Sequence, residues 1–438
     1  MKNYLSKSIL ILSDILTIFI STILAFYTRD ILSPIINTPF NQSSNNYFDF
    51  YILNIFIVTI FVYEGIYNKR FDFWHESKHI IKSLIFSFLL VMAYLAITKS
   101  IEEFSRLFIF FIFLYLTIFI PLEKLIIKNI LFKISLWQRE AKIYGDDTFL
   151  QKEIFTNSYI GYCESKDNNT KTVFINAQKL NPKELKSILD KEIETREEVI
   201  FIPTIEGYDL SQSFIYSLSN SRTNLIEIKN KLKSKYRLAL QQIFNYLLAI
   251  LLLPILLPII AILAFLIKKE SPGPIFFAHY RVGKGGKLIP TLKFRSMYSD
   301  AKERLDKLLE DDKIREEWEN NFKLKDDPRV TKIGAILRKT SLDELPQIFN
   351  VLKGEMNFVG PRPVVQQEIE QYYKSDAGYY LMVNPGITGL WQVSGRSDTD
   401  YEFRVKSDKW YVSNWSLWLD IVILFKTVKV VIKRDGAY

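Results

Sequence analysis

Asp343 and Glu344 stand side by side in a stretch whose nearest other charges, Arg338 and Lys339, are basic, with Arg362 a little further along. Adjacent carboxylates in such surroundings are expected to stay ionised at neutral pH. One could attack phosphorus while its neighbour helps to hold a divalent cation that neutralises phosphate charge. A blander reading competes with this one. Ser341-Leu342-Asp343-Glu344 fits a helix capping box with Glu344 at the third helical position, although Pro346 would disturb that turn. Spacing alone leaves both open.

Arginines supply the second chemical signal. Arg281, Arg295, Arg329, Arg338, Arg362 and Arg396 all sit next to or near Gly or Pro in the last third of the sequence. Guanidinium groups held at rigid turns suit two-pronged contacts to phosphate oxygens, so a phosphate-rich substrate is the first expectation. A disulfide framework and a thiolate metal cluster are excluded, because Cys163 is the single cysteine, and three histidines make a multi-histidine zinc site improbable.

These residues must be carried by a chain of 438 residues, 48% apolar and 15% aromatic, with a net charge of +9. Such an excess of positive charge suits phospholipid headgroups, nucleotides or nucleic acid, and the apolar runs put the membrane first. Four of them, at 9–27, 51–67, 80–97 and 107–127, have about the 17–25 residues a spanning helix needs. The first lacks a small-residue cleavage site before Thr28, so a secretory signal is not expected. Asp14 and Glu64, within or beside these runs, are expected to face other helices or an interface; an ion path is the alternative. Basic residues cluster at Lys2 and Lys7, at Lys69, Arg70, Lys78 and Lys82, and at Lys124, Lys128, Lys133, Arg139 and Lys142. This pattern predicts both ends of a four-helix bundle in the cytoplasm. A fifth run at 243–267 contains Pro254 and Pro258 and is flanked by lysine and arginine on both sides. A helix that enters, bends at the prolines and leaves on the same face satisfies both basic flanks. A fifth true span is the alternative.

Between the membrane runs, residues 140–229 alternate in type. AKIYG, TVFIN, EVIFIP and LIEIK read as strands, and PKELKSILDKEIE and LSQSFIYSLSN as helices, which predicts an α/β layer. Gly145 in KIYGDD hints at a nucleotide-binding turn, yet the fingerprint glycines are missing and Asp146 and Asp147 would repel a pyrophosphate. A degenerate Rossmann-like domain with a structural or regulatory role is expected. The predicted organisation is therefore a transmembrane bundle (1–135), this cytosolic α/β domain (136–232) and a mostly helical catalytic domain with the re-entrant helix (233–438). The tail at 410–433, rich in Trp and aliphatic residues with scattered lysines, fits an interfacial amphipathic segment, or else an ordinary core helix.

The blocks LKFRSM (292–297), SLDELPQ (341–347), VGPRP (359–363) and PGITGLWQVSGR (385–396) carry a resemblance. Over roughly residues 233–438 the chain resembles the bacterial sugar transferases, the monotopic polyprenyl-phosphate phosphoglycosyl transferases. Its spans and α/β insert look like the long form of that family. Its ending is similar to the undecaprenyl-phosphate galactose phosphotransferase branch.

The resemblance implies transfer of a sugar 1-phosphate from a UDP-sugar to undecaprenyl phosphate, with release of UMP, as the first membrane step of surface polysaccharide synthesis (O-antigen, capsule or exopolysaccharide). Asp343 maps to the nucleophile that forms a phosphosugar–enzyme intermediate, and Glu344 to the residue linked to Mg2+. Lys293, Arg338 and Arg362 map to phosphate-contacting positions, with Arg295 among the substrate-binding residues. Gln392 and Arg396 map near the sugar nucleotide. Membrane lipids are implied partners, nucleic acid is not, and a homodimer stays open. The implied location is the bacterial inner membrane, with the catalytic domain on the cytoplasmic face. Leu257-Pro258 departs from the family's frequent Ser-Pro at the helix bend, and Glu355 and Asn357 depart conservatively in the GEMNFVGPRP block. A non-catalytic membrane scaffold that senses sugar nucleotides, and a transporter, are the alternatives from other functional classes.

Overall fold

The computed structural model describes residues 2–36, 51–98, 105–145, 148–165, 170–177, 180–203, 210, 213–218, 223–227, 232, 234–311, 315, 324, 327–394 and 400–433. The chain divides into two compact units, Met1–Glu206 and Gly207–Tyr438.

The first unit opens with four apolar helices: α1 (Lys2–Ile36), α2 (Tyr51–Glu64), α3 (Phe73–Ile97) and α4 (Arg106–Lys133). On α1 the buried positions Leu10, Asp14, Ile18, Ser21, Ala25 and Arg29 recur at helical spacing and form one stripe. Leu53, Ile57 and Phe61 of α2, Ile80 and Leu84 of α3, and Ile112, Leu116 and Ile120 of α4 complete the same core. Other faces expose Leu12, Leu16, Phe86, Leu89, Phe110 and Ile126, an apolar surface that lipid would cover. Of these four helices, α1, α3 and α4 are long and apolar enough to cross a membrane, whereas described α2 is shorter. The second apolar run extends to Tyr67 in sequence, but its helix stops at Glu64. Gly65 adopts φ 78°, and the amides of Gly65 and Ile66 donate back to the carbonyls of Val62 and Phe61, a Schellman stop.

That stop turns Tyr67 inward, where its hydroxyl donates to Asp14 at 2.6 Å. Lys124 donates to the same carboxylate at 2.8 Å, and Lys128 pairs with Glu76; all four charged side chains are fully buried. Asp14 therefore faces other helices and has a cationic partner. Lys124 and Lys128, grouped by sequence with the basic flank, are spent inside the bundle instead. Glu64, at the end of α2, meets His79 at 2.9 Å and Lys82 at 3.2 Å.

Beyond α4 lie β1 (Arg139–Tyr144), α5 (Thr148–Phe155), β2 (Tyr162–Glu164), β3 (Thr172–Asn176), α6 (Pro182–Thr195) and β4 (Glu198–Ile202). The strands form one parallel sheet in the order β2-β1-β3-β4. β3 is buried along its whole length, as a central strand covered on both faces requires. Arg70, between α2 and α3, donates to the carbonyls of Trp137, Ile160 and Gly161 and ties this layer to the bundle within the unit. Asp146 and Asp147 lie outside the described residues.

The second unit begins with a correction. The segment LSQSFIYSLSN, expected to be a helix, contains strand β5 (Phe214–Leu218), paired antiparallel with β6 (Thr223–Glu227). Ile215 lies opposite Ile226 and Tyr216 opposite Leu225, so cross-strand pairing overrides a local helical pattern. Leu225–Glu227 of LIEIK form part of a strand as expected, but that strand pairs with β5 and not with the parallel sheet.

Helix α7 (Lys235–Glu270) follows, 36 residues long and about 54 Å at helical rise, with Pro254 and Pro258 inside it. Its buried residues are Gln241, Asn245, Ala249, Ile260 and Ile267. None of residues 250–259, which hold both prolines, is buried. Both ends are tied to the same unit. Asn245 accepts the Phe358 amide at 2.7 Å and Gln241 donates to the Tyr411 hydroxyl at 3.3 Å near the start. At the other end, Glu270 accepts two amides of a later helix. The rest comprises hairpin β7 (Phe276–Val282) and β8 (Leu288–Phe294), α8 (Ala301–Leu308), α9 (Lys332–Thr340), α10 (Gln347–Leu352), the parallel pair β9 (Asn357–Val359) and β10 (Gly386–Thr388), α11 (Tyr401–Asn414) and α12 (Leu417–Lys433). In α12, Asp420, Val422 and Ile423 are buried while Phe425, Val428, Val431 and Ile432 are exposed.

Candidate active site

The site is built where α9 ends. Thr331 caps its start by accepting the Gly334 amide at 2.9 Å. Gly334 touches the carbonyl of Ser296 so closely that a Cβ there would lie 2.0 Å from the oxygen. Any side chain would push the helix off the segment that follows β8, the strand that carries Lys293. At the other end Ser341 takes φ 56°, a conformation that non-glycine residues adopt rarely. A short 3-10 turn, Leu342–Glu344, then presents the two carboxylates. Pro346 sits ahead of α10, at a helix start, where a proline ring is tolerated.

This geometry removes the capping-box reading, because the Ser341 side chain makes no cap hydrogen bond. The dyad's nearest cation is also not the one sequence proximity suggests. Lys293, delivered from β8, places Nζ 2.7 Å from Glu344 and 3.4 Å from Asp343. Asn350 holds this strand in place: its carbonyl oxygen accepts the Leu292 amide at 3.0 Å and its amide donates to the Pro290 carbonyl at 2.8 Å. Glu355 accepts from the same Asn350 at 2.6 Å. Nothing in the spacing of Asn350 marked it as part of the site.

Burial pushes the Asp343 carboxyl above its ordinary value and Glu344 adds to the shift, while Lys293 and Arg338 pull against it. The expectation of an acid kept ionised by basic neighbours thus needs amendment. Desolvation is the largest influence, since the carboxylate is enclosed between α9 and β8.

The arginines separate into different jobs. Arg338 donates through Nε to Ser296 at 2.9 Å and its charge reaches Asp343, so it belongs to the site. Arg295 is buried and donates to the carbonyls of Ser271 (2.5 Å) and Pro272 (2.9 Å) where α7 ends. Arg329 is buried against Asp327, with contacts of 2.8 and 2.6 Å. Arg281 meets Glu368 at 3.5 Å, and exposed Arg362 lies close enough to affect it. Gln392, in the helical turn Leu390–Val393, donates to the Ile387 carbonyl at 3.4 Å. Arg396 lies outside the described residues. The structure therefore gathers Lys293, Arg338, Asp343 and Glu344, turns Arg295 toward the end of α7, and keeps Arg362 and Gln392 on other turns.

A divalent cation fits what the dyad offers. The two carboxylates already share one cationic group, the Lys293 ammonium. No group of three metal-binding side chains occurs among the described residues. One carboxylate completed by substrate phosphates and water is how Mg2+ is commonly held, so Glu344 is a suitable ligand.

Residues 236–434, from α7 to the end of α12, match the family model described as bacterial sugar transferase. Over 407 residues the chain is 39% identical to the undecaprenyl-phosphate galactose phosphotransferase of Salmonella typhimurium, covering 85% of this chain and 84% of that protein. It is 36% identical to the UDP-galactose-lipid carrier transferase of Erwinia amylovora, over 85% of this chain and 84% of that one. Against the UDP-glucose:undecaprenyl-phosphate glucose-1-phosphate transferase of Escherichia coli it is 36% identical, over 63% of this chain and 57% of that protein.

Proposed function

Since this chain belongs to the bacterial sugar transferase family, an integral membrane sugar phosphotransferase, we propose that it moves a hexose 1-phosphate from a UDP-sugar to undecaprenyl phosphate and releases UMP. The observation that carries this reading is the Asp343–Glu344 dyad bridged by Lys293 beside Arg338. It offers a nucleophile and the positive charge a diphosphate needs.

In the first step an Asp343 oxygen attacks the phosphorus that bears the sugar. A bond from that oxygen to phosphorus forms, the bridging P–O bond breaks, and UMP leaves with the electron pair. In the second step an oxygen of the lipid phosphate attacks the same phosphorus and returns Asp343 as a carboxylate. Lys293 and Arg338 hold the equatorial phosphate oxygens, where negative charge concentrates in the transition state. Arg362 and Gln392 reach the nucleotide from the neighbouring turns, and Arg396 belongs to the same motif. Glu344 would hold Mg2+, which supplies charge neutralisation at the diphosphate. Galactose is the first choice of sugar: two galactose-named relatives align along 85% of the chain, against 63% and 56% for two glucose-named ones. In a panel of UDP-sugars with undecaprenyl phosphate, UMP release is expected to be fastest with UDP-galactose. A faster UDP-glucose reaction would reassign the sugar.

α7 is read as re-entrant, with its ends on the cytoplasmic side. Its two termini bond to one unit, and no residue of the proline segment between them is fully buried, with only Leu252, Leu253 and Leu256 packed in part against that unit's core. A single crossing of the roughly 30 Å hydrocarbon would put those termini on opposite faces. In a Cys163→Ser background, cysteines at Lys235 and Lys269 should both react with an impermeant maleimide only after the inner face is opened. Reaction of either one from the periplasm defeats the hairpin.

A further inference from the structure

Glu270 is an acid in the last turn of α7, the end of a helix where negative charge is unfavourable for that helix's own dipole. Its gain lies elsewhere. One carboxylate oxygen accepts the Lys332 amide at 2.7 Å and the other accepts the Ile333 amide at 2.9 Å. Those are the first two residues of α9, while Thr331 takes the third free amide. The membrane helix thus caps the helix that ends at the nucleophile.

α9 is a strut of nine residues, about 13 Å long, with the membrane helix at one end and the dyad at the other. The chemistry at the far end is assembled by other contacts: Lys293 on the carboxylates, Arg338 on Ser296, and Gly334 against the Ser296 carbonyl. None of these involves α7. Glu270 joins that finished group to the helix in the lipid, alongside Arg295, whose guanidinium holds the Ser271 and Pro272 carbonyls at the same helix end.

We propose that Glu270 is a positioning residue that holds Asp343 at the height of the lipid phosphate, and so serves the second half of the reaction more than the first. UDP-sugar arrives in solution and can follow the dyad wherever it stands. The lipid phosphate is confined to the headgroup plane, so its attack depends on the distance that Glu270 helps to hold. This inference rests on the two-step transfer proposed above.

The two halves can be read separately in full-length protein in nanodiscs. Capture is the amount and rate of radiolabelled sugar phosphate on the protein without undecaprenyl phosphate; discharge is its loss when the lipid is added. Glu270→Gln keeps the shape but loses the charge and one acceptor. We expect capture within about twofold of wild type, and discharge at low lipid slower by about tenfold through a raised KM for the lipid. Thr331→Val removes a cap of the same helix without touching α7, and should leave the ratio of the two halves as in wild type. Loss of both halves in proportion by Glu270→Gln, or no change in either, would overturn the inference. Failure of the wild type itself to capture sugar without lipid, while turnover proceeds with it, would instead bring down the covalent reading and this inference with it.

Discussion

Asp343→Asn is expected to reduce UMP release by about 10⁴-fold or more, because loss of a nucleophile removes the path and not merely a contact. The side chain keeps its shape, so KM for the UDP-sugar should change little. The same substitution should leave the protein at least as stable as the wild type. Burial raises the Asp343 carboxyl above its unfolded value, so the ionised form opposes folding. That contribution to stability is fully present below the unfolded value and is lost as pH rises through the folded one, a loss that asparagine does not suffer. Inactivity without a fall in melting temperature separates a catalytic role from a structural one. Turnover needs the ionised carboxylate, so the acid limb of kcat/KM should have its midpoint above the ordinary aspartate value of about 3.9. Lys293→Met, which removes the cation facing it, should move that limb to still higher pH. Substantial turnover by Asp343→Asn would eliminate the covalent mechanism.

Glu76→Ala should cost about 3–5 kcal/mol, measured by thermal unfolding of the full chain in detergent. Its carboxylate is the buried partner of Lys128, whose ammonium also lies 4.4 Å from the Tyr159 ring centroid and 4.8 Å from that of Trp137. Truncating the acid strands a cation inside the bundle. Replacing both partners, Glu76→Met with Lys128→Met, should recover most of the loss, since an apolar pair needs no compensating charge. A single-variant cost under about 1 kcal/mol would mean that water reaches the pair and that it is not closed off as the structure has it.

Both predictions turn on pairings that the sequence does not display. Lys128 reads as one more basic residue on a cytoplasmic flank, and Glu76 as one more acid near a helix start. The ion pair exists because α3 and α4 lie against each other, 52 positions apart in the chain. The same holds for the arginines. All six sit near glycine or proline, but Arg295 is consumed by two carbonyls more than twenty positions away, which nothing in its spacing announces, and Arg329 by Asp327 two positions before it. The hairpin at β5 and β6 was legible only in its second strand. FIYSL offers enough apolar residues for either period, and the strand paired with it decides between them.

Sequence alone determined the apolar runs, the change of character after residue 270, and the adjacency of two carboxylates in a basic, glycine-rich third. These are properties of composition and short spacing, and they carry the membrane, the family resemblance and the choice of Asp343. Tertiary structure decided which cation meets the dyad, which arginines are free to meet phosphate, and how the membrane helix is joined to the nucleophile. Apart from the local Arg329–Asp327 pair, these are contacts between residues tens of positions apart, where burial and partner geometry, not residue type, set the energy.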